Sequence, residues 1–182
     1  MFRVGGTPVR PLAILLFALL FISASAQKDK REPLSENQIE QIREAGIDPD
    51  LRVSLYTKFL NERAETIKGL TSRARSHARG QRLDDELQDF TALMDELGSN
   101  LDQYGDRKAD MRKSLKDLSE GCPRWLTILK ALPGEPAFDV SRKEAIESGQ
   151  DLADQASHLL TEQTAYFLTH KTEKNQERAE PK

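Results

Sequence analysis

Cys122 is the only cysteine, and a thiol is the side chain here with the widest chemistry, as nucleophile, metal ligand or disulfide partner. Neither a nearby histidine nor a C-x-x-C motif accompanies it, so the sequence does not predict a catalytic thiol. Two interpretations stay open. In an oxidising compartment Cys122 could join two chains through a disulfide. Its place in an apolar repeat favours the other interpretation, a small side chain packed in the core.

The histidines and carboxylates show no arrangement that is typical of a metal or catalytic site. His77, His158 and His170 lack the H-x-x-x-H spacing that places two imidazoles on one helix face. No carboxylate stands in the apolar context expected of a general acid, and the G-x-S-x-G, Walker and dinucleotide-binding motifs are missing. We therefore predict no catalytic residue, no metal and no cofactor, and an enzyme is the least supported class.

A basic cluster precedes a long acidic run. Lys68, Arg75, Arg79 and Arg82 could form a patch for anionic lipid head groups or an acidic partner, because three of them are spaced seven apart. Eight carboxylates follow between residues 84 and 106 without a Lys or Arg. In an antiparallel hairpin the basic end of one helix lies beside the acidic start of the next. We favour pairing within the chain over an external anion site.

The N-terminus has the form of a secretory signal peptide. Arg3 and Arg10 flank its start, an apolar run extends from Leu12 to Ile22, and small residues precede Gln27. The run is too short to span a bilayer, so we predict cleavage after Ala26 and no transmembrane helix in the mature chain. The expected location is periplasmic or extracellular, with a bacterial envelope favoured.

The spacing of apolar residues predicts helices. A capping box at Ser35 and Gln38 starts a short helix, and a second helix is expected over 49–78. Fourteen of fifteen positions in steps of three and four from Leu83 to Leu132 are apolar, which predicts one long helix with a sharp kink or a short break at 121–123. A break near Gly98 is the main alternative to a single helix. A final helix is expected from about residue 139 or 141 to 170.

Two basic residues occupy apolar positions of these repeats. Arg63 lies between Leu60 and Ile67, and Lys108 is the one exception among the fifteen positions. A buried basic side chain can set the register between helices. We expect the alternative, in which the long side chains reach the solvent and their stems cover apolar surface.

These elements predict an all-α fold, an elongated antiparallel three-helix bundle with coiled-coil-like packing, preceded by a short helix. The expected organisation is a signal peptide over 1–26, a flexible segment over 27–34, the bundle over 35–170 and a disordered charged tail over 171–182. The 27 Lys and Arg nearly balance the 30 Asp and Glu, which argues against nucleic-acid binding by net charge.

One short element resembles a known family. Leu34-Ser35-Glu36-Asn37-Gln38 resembles the L-T/S-x-x-Q element of bacterial periplasmic helical chaperones of the Spy and CpxP kind. That resemblance implies a cradle of helical hairpins that binds unfolded clients. The family has a second such element, and Leu70-Thr71-Ser72-Arg73-Ala74 begins like one but lacks the Gln. No family is recognised over the whole chain.

The expected function is an exported, non-enzymatic helical bundle that acts through helix-mediated protein contacts, as a scaffold, adaptor or envelope subunit. A protein partner or self-association is expected, nucleic acid is not, and contact with a membrane surface stays open. The first alternative is a holdase-like chaperone of the Spy and CpxP kind. The second is a ligand- or metal-binding bundle.

Overall fold

The computed structural model describes residues 32–170, and every regular element in this range is an α-helix. The five helices are α1 (Glu36–Glu44), α2 (Pro49–Thr71), α3 (His77–Asp106), α4 (Arg112–Lys130) and α5 (Asp139–Thr169). The all-α prediction is confirmed for this part of the chain. The predicted signal peptide and the predicted tail over 171–182 lie outside the described residues.

The first two helices begin where the sequence predicts. The Ser35 hydroxyl accepts a hydrogen bond from the Gln38 backbone N–H at 3.3 Å, and the Gln38 side chain accepts one from the Ser35 N–H at 3.0 Å. Gly46 follows α1 with a φ of +58°, a conformation that glycine adopts without strain. Asp48 then caps α2 by accepting from the Leu51 N–H at 3.1 Å.

Four helices, not three, form the bundle. The four helices form a ring in which α2 packs on α3, α3 on α5, α5 on α4, and α4 on α2. The short helix α1 lies on α2. Polar contacts give the directions: α2 and α3 are antiparallel, and so are α4 and α5. The pairs α3 with α5 and α2 with α4 are parallel, so the predicted antiparallel three-helix bundle is wrong.

The predicted long helix is divided at Lys108. Helix α3 ends at Asp106 and α4 begins at Arg112, while Lys108 adopts a φ of +57°, the left-handed conformation that stops a helix. The helix is not broken near Gly98, because Gly98 lies inside α3. Helix α4 runs through Pro123, which is exposed, so the predicted disruption at 121–123 does not interrupt it.

The connection between α2 and α3 also differs from the prediction. Helix α2 ends at Thr71, and the Ser76 hydroxyl caps α3 by accepting from the Arg79 N–H at 3.2 Å. Gly80, which follows the range predicted for the second helix, lies in the first turn of α3. A Cβ at Gly80 would lie 3.0 Å from the Ala137 Cβ, so glycine allows the chain before α5 to approach closely.

The core confirms the apolar repeat. All fourteen apolar positions of the repeat from Leu83 to Leu132, which we call the seam, are buried. The α2 positions Val53, Tyr56, Leu60 and Ile67 are buried as well. Trp125 of α4 meets Phe90 of α3 edge-on, with ring centroids 5.9 Å apart. One chain therefore buries its own seam within the described bundle.

The expectation that the Arg63 side chain reaches the solvent is wrong. This side chain is 17% exposed, and its guanidinium lies 2.7 Å from Glu86 and 3.1 Å from Asp89. It also donates to the Pro33 carbonyl at 2.5 Å. Leu34, which follows Pro33 in the chain, is buried. The segment 27–34 was expected to be flexible, but its described end is packed on the bundle.

Replacing Lys108 with glycine is expected to raise the free energy of unfolding by about 0.5 kcal/mol, because glycine adopts a φ of +57° without steric cost. Urea unfolding followed by circular dichroism measures the change. The control is Lys116→Gly, at an exposed position inside α4, which should lower the free energy of unfolding by about 1 kcal/mol. Equal losses in both variants would contradict the role assigned to the Lys108 backbone.

Candidate functional site

The charges of the bundle are divided between two helix pairs. Helix α3 has eight carboxylates and two basic side chains, and α5 has six and two, so this pair has a formal net charge of −10. Neither helix has a Lys or Arg over 83–106 or 144–169. Helices α2 and α4 together have nine basic and five acidic side chains, a net charge of +4. We call the exposed outer surface of α3 and α5 the acidic face.

Neutral donors align the two helices of the acidic face. The Ser141 and Ser148 hydroxyls donate to Asp84 and Asp95 at 2.5 and 2.6 Å. One further heptad along α5, the Gln155 amide donates to Asp102 at 2.6 Å. These bonds fix the parallel register of α3 and α5 and leave the negative charge of each carboxylate in place, because hydroxyls and amides carry no charge.

Other carboxylates of α3 do not belong to this face. Glu86 and Asp89 pair with Arg63 on the side towards α2. Glu96 accepts from the Tyr56 hydroxyl, and burial together with this bond raises the pKa of Tyr56 well above its ordinary value. On the α2 side of α3 a cation, Arg63, therefore offsets charge at Glu86 and Asp89, whereas the donors that α5 supplies to the α3 carboxylates are neutral hydroxyls and an amide.

A groove of about 660 Å³ opens between the last turns of α3 and α5, and we call it the carboxyl-end groove. Leu159 lies at its base against Gly105, where a Cβ would come within 3.0 Å of the Leu159 Cδ2. The side chains that give it its chemistry are Asp102, Asp106, Lys108, His158, Glu162 and Tyr166.

Gln163 holds the wall of this groove. It is 5% exposed, its amide oxygen accepts from the Met111 N–H at 2.9 Å, and its amide nitrogen donates to the Ala109 carbonyl at 2.7 Å. Both bonds tie the connection between α3 and α4 to α5, and so place Lys108 at the groove. Gln163 was not among the predicted site residues, although a polar residue four positions after Leu159 and three before Tyr166 interrupts an apolar helical spacing and was a signal for it.

A smaller groove of about 310 Å³ lies between α2 and α4. Its charged side chains are Lys58, Asp117, Glu120 and Arg124, two of each sign. Asn61 in its lining accepts from the Trp125 indole N–H at 2.8 Å. Because its charges balance, it selects no sign of ligand.

The four residues of the possible anionic-partner patch have different surroundings in the structure. Helix α2 ends before Arg75, so Lys68, Arg75 and Arg82 do not share a helix face. Arg79 is buried, donates to the Leu70 carbonyl and pairs with Glu135 at 3.1 Å. Arg75 approaches the same carboxylate, while Lys68 pairs with Glu65 and Arg82 is exposed. Pairing within the chain was favoured, but Glu135 takes the place expected of the acidic run.

Cys122 lies in the core, completely buried, as a free thiol. Desolvation raises its pKa from 9.0 to about 12. This location matches the packing interpretation, and a disulfide to another chain would require the bundle to open.

We expect the Cys122 thiol to react with Ellman's reagent at pH 8 at least about 100-fold more slowly in the folded chain than in urea. Both the raised pKa and the burial remove the reactive thiolate. Ser99→Cys in a Cys122→Ala background is the positive control, because Ser99 is exposed on α3 and its replacement should react at once. Rapid reaction of native Cys122 would contradict a closed core.

The histidines lie apart. His158 pairs with Glu162 at 3.5 Å at the carboxyl-end groove, His170 stacks on Tyr166 with centroids 4.1 Å apart, and His77 begins α3 at the other end. Across residues 32–170 no group of three or more His, Cys, Asp and Glu is placed to hold a metal ion. No helix in that range has the length and apolar character needed to cross a membrane.

Comparison with known proteins adds no relative. No family model matches the chain, and neither a curated protein nor a solved structure matches it. The acidic face and the carboxyl-end groove are therefore the features from which a function can be inferred.

Proposed function

We propose that this chain is an exported, non-enzymatic protein that binds another protein through the acidic face, as a scaffold, adaptor or envelope subunit. The observation that carries the proposal is the excess of carboxylates on two neighbouring parallel helices, whose net charge is still −8 when Glu86 and Asp89, which pair with Arg63 of α2, are left out. Like charges on packed helices repel one another and cost stability. A basic partner relieves that repulsion and is steered towards the face by its field.

The sign of the charge narrows the class of partner. The acidic face repels nucleic acid and anionic lipid head groups, whose phosphates carry the same sign. The buried Arg79 and its pairing with Glu135 remove one member of the possible anionic-partner patch from the surface. A basic protein surface is therefore the partner that the bundle fits best.

Crosslinking in the native host, followed by affinity purification and mass spectrometry, tests this proposal. The face variant changes Glu144, Glu147, Asp151 and Asp154 to their amides, all exposed on α5 outside the carboxyl-end groove. The control variant changes Glu40, Glu44, Glu62 and Glu65 in the same way, exposed on α1 and α2. Both variants alter the net charge equally; they differ in the location of the charges and in the exposed pairs with Arg43, Lys58 and Lys68 that the control removes.

We expect one partner at constant stoichiometry from the wild-type chain and the control variant, and at least about tenfold less of it from the face variant. Equal recovery from both variants would contradict the acidic face as the binding surface. A broad set of unrelated envelope proteins, enriched under unfolding stress, would replace this proposal with a holdase of the Spy and CpxP kind. Recovery of the chain alone would indicate self-association.

A further inference from the structure

The carboxyl-end groove combines a cavity with a surplus of negative charge. Asp102, Asp106 and Glu162 line it, against Lys108 and the His158 that pairs with Glu162. Its volume of about 660 Å³ lies within the range of protein sites that enclose a ligand side chain and its neighbours. The groove is thus large enough for an entering segment and favours a cation.

The helix dipoles add to this preference. Helices α3 and α5 are parallel, so both carboxyl ends, Asp106 and Thr169, lie at the same end of the bundle as the groove. The carboxyl end of a helix has a partial negative charge from its unpaired carbonyl groups. Two such ends therefore add to the attraction of Asp102, Asp106 and Glu162 for a cation.

Basic side chains of the chain itself already lie over aromatic rings at this end. The Lys108 ammonium lies 5.8 Å from the centroid of Tyr166, a ring that lines the groove. The guanidinium groups of Arg107 and Arg112 lie 5.4 and 4.7 Å from the rings of Tyr104 and Phe167. Lys108 is exposed, so an incoming cation can displace it without opening the core.

We propose that the carboxyl-end groove binds an arginine side chain from a basic segment of the partner protein, which replaces Lys108 over Tyr166 and pairs with Asp102 and Glu162. This inference rests on the proposed function and names the chemistry of its partner. Arginine fits better than lysine, because its planar guanidinium stacks on a ring and binds two carboxylates at once, whereas an ammonium is a point charge.

Fluorescence anisotropy with the full exported chain and three labelled peptides tests the inference. The peptides are Gly-Arg-Gly-Arg-Gly, the same peptide with lysine, and the same peptide with citrulline, which keeps the shape of arginine without its charge. We expect the arginine peptide to bind at least about threefold more tightly than the lysine peptide, and the citrulline peptide not to bind measurably.

Variants locate the binding. Asp102→Asn with Glu162→Gln should weaken binding of the arginine peptide about tenfold, and the matched pair Asp151→Asn with Glu147→Gln less than about threefold. Tyr166→Leu should weaken it about threefold, whereas Tyr166→Phe keeps the ring and the affinity. Lys108→Gly should tighten binding, because it removes the competing cation. Circular dichroism confirms that each variant is folded.

Equal losses in the two carboxylate pairs, or equal binding of arginine and citrulline peptides, would overturn the groove as the arginine site. Such a result leaves the proposed function intact, since the whole acidic face could still hold a partner. Binding of the peptide in the groove without any partner captured in the host would have the opposite meaning. It would retain the site and contradict the proposed function.

Discussion

Replacing Arg63 with leucine is expected to lower the free energy of unfolding by about 3 kcal/mol. Its guanidinium neutralises Glu86 and Asp89, whose side chains are 12% and 8% exposed, and also donates to the Pro33 carbonyl. Without Arg63 the two carboxylates lose this cation in a poorly solvated site, and breaking a buried pair in this way typically costs about 3–5 kcal/mol. Urea unfolding at neutral pH measures the loss.

Two controls separate this loss from a simple change of side chain. Combining Arg63→Leu with Glu86→Gln and Asp89→Asn should restore at least half of the stability, because the uncompensated charges are then gone. Lys68→Leu breaks an exposed pair with Glu65 in the same helix and should change the free energy of unfolding by less than about 0.5 kcal/mol. A loss below 1 kcal/mol for Arg63→Leu would mean that water reaches the two carboxylates.

The local elements of this fold could be predicted because their signals are local. A hydroxyl or carboxylate at a helix start satisfies the free N–H groups of the first turn, and so Ser35 and Asp48 mark α1 and α2. The apolar repeat of α3 and α4 is buried as expected, because amphipathic helices must cover their apolar stripes.

The number of helices could not be predicted from that repeat. Tyr104 and Met111 are seven residues apart, so the heptad phase continues across the connection between α3 and α4 although the chain turns there. Both helices face the same core, and the repeat therefore reads as one uninterrupted seam. The one departure from the pattern, Lys108, is the residue at which the chain turns.

The candidate site was visible only in part. The acidic run of α3 is plain in the sequence, but the parallel pairing that sets α5 beside it depends on how α4 crosses the bundle. Polar residues in apolar positions were the better signal. Arg63, Lys108 and Gln163 each interrupt an apolar spacing, and each makes a tertiary contact. Arg63 pairs with Glu86, Lys108 lies over the Tyr166 ring, and Gln163 accepts from the Met111 N–H. Their partners come from distant segments, so spacing alone could not name them.

Trp125→Ala is expected to lower the free energy of unfolding by about 4 kcal/mol. Trp125 is 1% exposed, and removing a fully buried indole leaves a cavity that typically costs about 3–5 kcal/mol. Its position adds to the effect, because α3 and α4 do not pack side by side and the edge-on contact with Phe90 joins them across the core. Since the chain has one tryptophan, circular dichroism must follow the unfolding.

Smaller substitutions at Asn61 and Trp125 separate the cost of the cavity from the cost of losing the hydrogen bond. Asn61→Ala leaves the indole N–H without its acceptor and should cost about 1–2 kcal/mol, whereas Trp125→Phe retains a ring against Phe90 and should cost less than the alanine variant. Ile47→Ala, at a side chain 74% exposed, should cost less than about 0.5 kcal/mol. If Trp125→Ala costs no more than Asn61→Ala, the hydrogen bond to α2 accounts for the whole effect of the indole, and its packing on Phe90 adds nothing that joins α3 to α4. The two diagonal helices would then be held only through their shared neighbours α2 and α5.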